Sequence, residues 1–178
     1  MTQPCYVRIA GAKNSGKTTL IVALTAEFTS HGYRVGTLKH TSHNHEFDRP
    51  GSDSFRHSAA GSAATIIVSP ERFVLHAPRP ADPQLLSLFD NIYDDCDIVF
   101  CEGHTDLSPT SGRAPLVECV APGDNPLFEH DPDLVALVGD TIESTGSTNT
   151  TRVFARSDSN ALAAWLRKRF GIKKNSKR

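Results

Sequence analysis

A run of residues near the N-terminus has the composition and spacing of a phosphate-binding loop. Residues 11–18 read Gly-Ala-Lys-Asn-Ser-Gly-Lys-Thr and match the pattern G-x4-G-K-[ST] in full. The two glycines allow the backbone to curl until its N–H groups point at an anion. Lys17 can bring a positive charge to the β- and γ-phosphates of a nucleotide, and the hydroxyl of Thr18 can ligate Mg²⁺. The pattern therefore predicts a site for nucleotide phosphates, in which Lys13 either touches phosphate or stays solvated.

The segments on either side of this loop have the patterns of elements that could position it. Residues 5–10 form an apolar run typical of a buried strand, and residues 17–30 repeat apolar side chains at helical spacing. A helix that starts at residue 17 would add its free N–H groups and the positive end of its dipole to the anion site. Residues 33–39 predict a second strand, which completes a right-handed strand–helix–strand unit.

A nucleotide-bound Mg²⁺ needs a carboxylate nearby, and Glu102 is the first candidate. It follows the apolar run 98–101 and precedes a glycine. In a parallel sheet, ligands bind at the carboxyl ends of the strands, so Glu102 is expected beside the phosphate loop. There it could bind Mg²⁺ through water or orient an attacking water. Asp97 begins the same run and is expected at the opposite end of the sheet, as a solvated residue.

The second candidate carboxylate is Asp53, in a long polar segment after the second predicted strand. This segment leaves the same edge of the sheet and can therefore reach the nucleotide. Its histidines could bind zinc, but they lack H-x3-H spacing, so hydrogen-bonding or solvated side chains are the alternative. Arg56 could neutralise phosphate charge or form an ordinary ion pair. The histidines of this segment are His40, His43, His45 and His57.

The remaining segments alternate between strand and helix patterns. Residues 64–69 and 72–76 predict a hairpin joined by Pro70-Glu71, and Asp158 precedes a final amphipathic helix. Further strands are predicted at 115–121, 134–139 and 153–155, and a further helix at 84–91. This alternation predicts an α/β fold with a mostly parallel twisted sheet flanked by helices and a β-hairpin addition. We expect one nucleotide-binding domain over residues 1–172 and a basic tail over 173–178.

Composition narrows the function further. The chain has 178 residues, of which 38% are hydrophobic and 22% charged, so a disordered chain is excluded. Its net charge of -1 gives no basic field for nucleic acid or an anionic membrane. No apolar run approaches the roughly 20 residues that span a bilayer, and no signal segment opens the chain, so we expect a cytoplasmic protein. The scattered cysteines are expected to be buried, reduced thiols; they are Cys5, Cys96, Cys101 and Cys119.

Several of these features together resemble the MobB family of molybdopterin-guanine dinucleotide biosynthesis proteins. The resemblance rests on the phosphate loop with the following Thr19-Leu20, on Lys39-His40 after a Gly-Tyr-Arg-Val-Gly run, on Phe47-Asp48-x-Pro-Gly51-x-Asp53-Ser54-x-Arg56, on Ala60-Gly61, and on Asp97 and Glu102-Gly103. It covers residues 5–170. One departure is that His104-Thr105 stands where family members often carry an aromatic residue and a lysine, so no substrate contact is carried over from that lysine.

The resemblance implies a P-loop NTPase fold, GTP and Mg²⁺ as ligands, weak intrinsic GTP hydrolysis and a homodimer. It also implies partnership with the guanylyltransferase that joins GMP to molybdopterin. The implied catalytic residues are Lys17, Glu102 and Asp53, and the implied metal ligands are Thr18, Glu102 and Asp53. The implied nucleotide contacts are Gly11, Ala12, Lys13, Asn14, Ser15, Gly16, Lys17, Thr18 and Thr19.

Four functions stay open at this point. They are a GTP-binding accessory protein of molybdenum cofactor maturation, a small metabolic kinase, a metallochaperone GTPase with nickel or zinc on the histidine-rich segment, and a non-enzymatic interaction domain. A kinase would need an arginine-rich lid, whereas Arg49, Arg56 and Arg113 are too few and too scattered to form one. The chain lacks an N-K-x-D run for reading guanine; Asp140 or Asp158 could accept from the guanine amino groups, and capping of a helix is the alternative for Asp158.

Overall fold

The computed structural model describes residues 3–41, 46–103, 114–142 and 151–175. The chain divides into two compact units, the first made of residues 1–40 and 86–178 and the second of residues 41–85. The single domain over residues 1–172 with its basic tail stays a prediction.

The first unit contains a six-stranded sheet. Its strands are β1 (Cys5–Ala10), β2 (Val35–Lys39), β5 (Ile98–Glu102), β6 (Leu116–Cys119), β7 (Leu134–Val138) and β8 (Arg152–Phe154). They lie in the order β2-β5-β1-β6-β7-β8. Every described strand pair in it is parallel. This confirms the predicted mostly parallel α/β sheet.

Helices α1 (Lys17–Ser30) and α4 (Ser159–Arg169) cover one face of this sheet. Parallel strands are buried on both sides, so β1 reads as a nearly continuous apolar run whose alternate side chains face opposite ways. Val7 and Ile9 pack in the core with the two helices, while Tyr6 packs in a separate cluster with Val99. The helical repeat of Leu20, Ile21, Leu24 and Phe28 predicted from the sequence is the buried face of α1.

Arg8 is the charged exception in the central strand, and its charge is compensated locally. Its side chain is only 8% exposed. It donates to the carbonyl of Ala114 at 3.0 Å and to Asp133 Oδ2 at 3.0 Å, with Asp131 Oδ1 at 3.6 Å. A buried guanidinium needs such partners, because an unpaired charge in the interior is strongly destabilising. Arg8 therefore ties β1 to the segment before β7.

The second unit contains the predicted hairpin. Strands β3 (Thr65–Val68) and β4 (Phe73–His76) pair antiparallel, with Pro70-Glu71 in the connection. Helix α2 (Asp53–Ala59) precedes the hairpin, and the division between the units falls inside helix α3 (Asp82–Ile92). Most apolar side chains of the hairpin are exposed; they are Ile66, Ile67, Val68, Phe73, Val74 and Leu75.

The expected solvation of Asp97 is wrong. Its side chain is only 6% exposed at the amino end of β5, and its Oδ2 accepts from the Arg34 backbone N–H at 2.7 Å. Its Oδ1 accepts from the backbone N–H of Asn175. A carboxylate that accepts backbone N–H groups can be buried because these bonds replace water. Asp97 thus anchors β2 and the C-terminal segment to β5.

The four cysteines are free thiols, as predicted, but the expected burial is found only for Cys101 and Cys119, because Cys5 and Cys96 are half-buried. Burial raises the pKa of Cys101 to about 12 and that of Cys119 to about 11. Both thiols are therefore protonated at neutral pH and serve as small apolar groups. Along the part of the chain that the structure describes, none of the helices has the length and apolar character to cross a membrane.

Candidate functional site

The phosphate loop joins β1 to α1 and curls as an anion-binding loop must. Its backbone reaches positive φ at Gly11 (136°), Asn14 (62°) and Gly16 (95°). Glycine adopts such angles without strain, and asparagine tolerates them better than most residues. Gly16 is the N-cap of α1 and has no side chain to occupy the first N–H groups of the helix. These N–H groups and the positive end of the helix dipole are thus available to an anion.

Lys17 lies at the first position of α1, and its ammonium group closes the loop. Nζ donates to the carbonyl of Ala12 at 2.6 Å and to that of Gly11 at 3.1 Å. The side chain therefore bends back across the loop, so that its charge lies over the curled backbone. Lys13, by contrast, is exposed.

Thr18 and Glu102 come together from elements that are far apart in the sequence. The Thr18 hydroxyl donates to Glu102 Oε1 at 2.8 Å, across 84 positions of the chain. Lys39, the last residue of β2, donates from Nζ to the same oxygen at 3.0 Å. Lys39 and Glu102 meet because β2 and β5 are neighbouring parallel strands in which these two residues lie opposite each other. Both side chains therefore lie at the carboxyl edge of the sheet.

A cavity of about 460 Å³ opens at this edge of the sheet. Six of its lining residues belong to the phosphate loop and the start of α1, and the other two are Lys39 and Glu102. Its volume falls in the range of small-ligand sites. A hydroxyl and a carboxylate oxygen 2.8 Å apart are the hard oxygen donors that Mg²⁺ prefers, and the loop amides suit phosphate. The residues present therefore fit a magnesium-bound nucleoside phosphate.

Asp53 belongs to the second unit, where it is the first residue of α2. Its side chain is 92% exposed, and Oδ1 lies 3.7 Å from Nη1 of Arg56. Arg56 therefore forms the ordinary ion pair that was one of its two sequence-based alternatives. The role of Asp53 toward a nucleotide stays a prediction.

Asp48 organises the turn that leads into α2. Its Oδ1 accepts from the Arg49 backbone N–H at 2.8 Å and from the Ser52 hydroxyl at 3.1 Å. Ser52 is the N-cap of α2, and its Oγ accepts from the Phe55 backbone N–H at 3.1 Å. Hydrogen bonding, above all from the Ser54 side chain, keeps the pKa of Asp48 below its usual range. The Phe-Asp-x-Pro-Gly-x-Asp-Ser motif thus has a structural explanation in this part of the unit.

The metal hypothesis for the histidine-rich segment stays a prediction. His43 and His45 lie outside the described residues. Within the described ranges, no group of three or more His, Cys, Asp or Glu side chains is arranged to hold a metal ion.

Asp140, one candidate for reading guanine, accepts from the Arg156 backbone N–H at 3.0 Å and keeps its side chain about half exposed. Asp158 lies at the N-cap position of α4, but its side chain makes no capping hydrogen bond there.

Sequence reasoning missed two cationic residues of this site. It gave Lys39 no role beyond the family resemblance, and it did not consider Arg156, whose guanidinium donates to the Ser15 carbonyl at 2.8 Å. The signal that could have found them is position. Lys39 ends a strand and Arg156 follows one by two residues, and ligand sites of parallel sheets lie at strand ends.

The chain is similar in sequence to known proteins. The chain matches the profile of a family named molybdopterin guanine dinucleotide synthesis protein B over residues 6–140. It is 38% identical over 76 residues to the molybdopterin-guanine dinucleotide biosynthesis adapter protein of Escherichia coli (strain K12), with 43% of each chain covered. To the protein of the same name from Haemophilus influenzae it is 37% identical over 98 residues, with 53% of this chain and 54% of the relative covered. The chain thus spans about half the length of these curated relatives.

Solved structures resemble the fold over nearly the whole chain. The crystal structure of Bacillus subtilis MobB superposes with a TM-score of 0.70 at 24% identity, covering 96% of this chain and 99% of that one. The MobB homologue from Bacillus stearothermophilus gives 0.62 at 24% identity, with 94% and 99% covered. Structural likeness at this identity speaks for the fold. Because the family profile matches well over half of the sequence, the chain belongs to the molybdopterin guanine dinucleotide synthesis protein B family.

Proposed function

We propose that the protein binds GTP with Mg²⁺ and acts as an accessory protein, with weak GTPase activity, in the attachment of GMP to molybdopterin. Its proposed partner is the molybdopterin guanylyltransferase, and its proposed location is the cytoplasm. The observation that carries the nucleotide part is the Thr18–Glu102 hydrogen bond of 2.8 Å at the phosphate loop. Family membership and the names of the relatives support the pathway.

The proposed roles follow from the position of each group. The amides of residues 11–19 and the ammonium of Lys17 hold the β- and γ-phosphates. Thr18 and Glu102 supply oxygen ligands for magnesium, and Asp53 is kept as a further ligand or water-orienting group. When bound, magnesium would neutralise charge on the phosphate oxygens.

Slow hydrolysis is consistent with the charges that surround the cavity. Fast GTPases place an arginine on the transferred phosphate, and that arginine accelerates hydrolysis by about 10³–10⁵-fold. Of the described residues that line the cavity, the cationic ones are Lys13, Lys17 and Lys39, and none is an arginine. Nucleotide binding is thus better supported than rapid turnover, as expected of a protein that acts through a partner.

The test combines nucleotide preference with partner binding. Equilibrium binding of GTP and ATP is measured with Mg²⁺, and purified protein loaded with each nucleotide is then used to capture the guanylyltransferase from cytosol. We expect GTP to bind more tightly and the GTP-loaded protein to retain the guanylyltransferase. Clear preference for ATP would favour the kinase alternative, and failure to retain the enzyme in any nucleotide state would contradict the accessory role.

The proposed homodimer is supported by the exposed hairpin of the second unit. Val68 and Phe73 are paired across the two strands and are 76% and 68% exposed. A two-stranded sheet is marginal alone in water, and contiguous exposed apolar side chains mark an interaction surface. A second copy of the chain is the proposed occupant.

We therefore expect the wild-type protein to sediment as a dimer and the double substitution of Val68 and Phe73 by glutamate to make it monomeric. Burying two carboxylates without partners would cost the dimer several kcal/mol. Val22→Glu on α1 is the control, because Val22 is 63% exposed and the same chemical change is made there. Sedimentation velocity distinguishes the species. A monomeric wild type, or a double variant that still dimerises, would contradict the proposal.

A further inference from the structure

The side chain of Arg156 connects the segment after β8 to the phosphate loop. Its Nη1 donates to the backbone carbonyl of Ser15 at 2.8 Å, and its Nη2 donates to the carbonyl of Val120, which follows β6. The guanidinium of arginine is a planar fork of N–H donors, so a single side chain can donate to two carbonyls that lie in different directions. One guanidinium thus bridges the phosphate loop and the end of a neighbouring strand.

Arg156 is itself held in place by the carboxylate that follows β7. Asp140 Oδ1 accepts from the Arg156 backbone N–H at 3.0 Å, and Oδ2 lies 3.6 Å from Nε. The side chain is 29% exposed, so water only partly screens these contacts. The contacts with two carbonyls and one carboxylate therefore orient the guanidinium relative to the sheet. The Ser15 carbonyl of the phosphate loop is one of these contacts.

The hydrogen bond to Ser15 also orients the neighbouring amide. The Ser15–Gly16 peptide is trans, so the N–H of Gly16 points away from the carbonyl that Arg156 holds. A Cβ atom built on Gly16 would lie 2.6 Å from Nη1 of Arg156, so the guanidinium packs directly against that residue. Gly16 lines the phosphate cavity, and Arg156 is not among its lining residues. The arginine thus lies behind the loop, on the side away from the ligand.

We propose that Arg156 is a positioning residue, which holds the Ser15–Gly16 peptide with its N–H directed into the phosphate cavity. This inference rests on the proposed function, because it assumes that the loop binds nucleotide phosphates. Pre-oriented amides bind an anion more tightly than amides that must be ordered on binding. The positive charge behind the loop also favours an anion in front of it.

The test measures the affinity of wild type, Arg156→Ala and Arg156→Lys for GTP with Mg²⁺ and for inorganic tripolyphosphate, which has no base or ribose. We expect Arg156→Ala to weaken GTP binding at least about tenfold, as for one lost charge-assisted hydrogen bond. The affinity for tripolyphosphate should fall by the same factor, because the substitution affects the amides that hold phosphate. Arg156→Lys should recover part of the loss, since an ammonium can serve one of the two carbonyls.

The control is Arg152→Ala, the same change at an arginine of β8 whose guanidinium stacks on Phe154, 5.6 Å from the ring centroid. It should bind both ligands like the wild type. Thermal unfolding checks each variant, and if Arg156→Ala melts too early to assay, Arg156→Lys decides. Unchanged affinity in the assayed Arg156 variant would overturn the inference, as would a loss for GTP that tripolyphosphate does not share. A wild type that binds neither ligand would instead overturn the proposed function, and this inference with it.

Discussion

Replacement of Lys17 by alanine is expected to weaken binding of GTP with Mg²⁺ by about a hundredfold or more. The ammonium lies over the curled loop, within 2.6 Å of the Ala12 carbonyl and 3.1 Å of the Gly11 carbonyl, where it can move onto a phosphate oxygen with little displacement. Hydrogen bonds to charged groups contribute about 1.5–3 kcal/mol each, so two such bonds to phosphate account for that factor. Isothermal titration of the purified variant measures the loss.

Lys13→Ala provides the matched control within the same loop. Lys13 is exposed and carries the same charge, so its removal lowers the positive potential of the loop without removing the ammonium that lies over the backbone. We expect a loss of no more than about threefold, the range of a screened surface charge. Both variants should melt close to the wild type, because the carbonyls that Lys17 leaves can accept from water. If Lys17→Ala bound GTP like Lys13→Ala, the phosphate-loop assignment would be wrong.

The elements of the first unit could be predicted because each has a strong local signal. The apolar runs at residues 5–10 and 98–101 are long enough to be buried strands, and the four-residue repeat from Leu20 to Phe28 gives α1 its buried face. The same signals placed Glu102 at the carboxyl edge of the sheet. The prediction of Glu102 therefore depended on a rule about parallel sheets applied to one strand end.

The contacts between distant segments could not be predicted in this way. Nothing local in the sequence states that β5 lies between β1 and β2, yet this order brings Lys39 opposite Glu102. Asp97 is a charged residue at the start of a strand, where solvent exposure is the usual expectation. Its burial is explained only by the backbone N–H groups from which its carboxylate accepts hydrogen bonds. Arg156 is one of many surface-type arginines in the chain until the fold places it behind Ser15. In each case the deciding interaction joins segments more than 50 positions apart.

The two glycines of the phosphate loop are under different steric constraints, and Gly11 has less room for a side chain than Gly16. Its φ of 136° disfavours any residue with a side chain. A Cβ atom there would lie 2.2 Å from the backbone carbonyl oxygen of Cys119 and 2.7 Å from the Ser15 hydroxyl. The first of these neighbours is backbone at the end of β6, in the middle of the sheet, and cannot rotate away.

Gly11→Ala should therefore lower the free energy of unfolding by about 3 kcal/mol or more, since backbone strain and overpacking act together. For a chain of this length we expect the melting temperature to fall by roughly 10 °C. The loop can relieve the contact only by moving away from β6, which would open the anion site, so GTP affinity should fall as well. Differential scanning calorimetry and the same titration as for Lys17→Ala measure both effects.

Gly123→Ala separates the two causes. Gly123 also has a positive φ, of 83°, but no heavy atom of the described chain lies within 4 Å of a Cβ built there. It should therefore show the cost of backbone strain alone, about 1 kcal/mol or roughly 3 °C, with GTP affinity unchanged. A Gly11→Ala variant no less stable than Gly123→Ala would mean that the loop can leave Cys119 freely. The close approach of the phosphate loop to β6 would then not be what fixes the shape of the anion site.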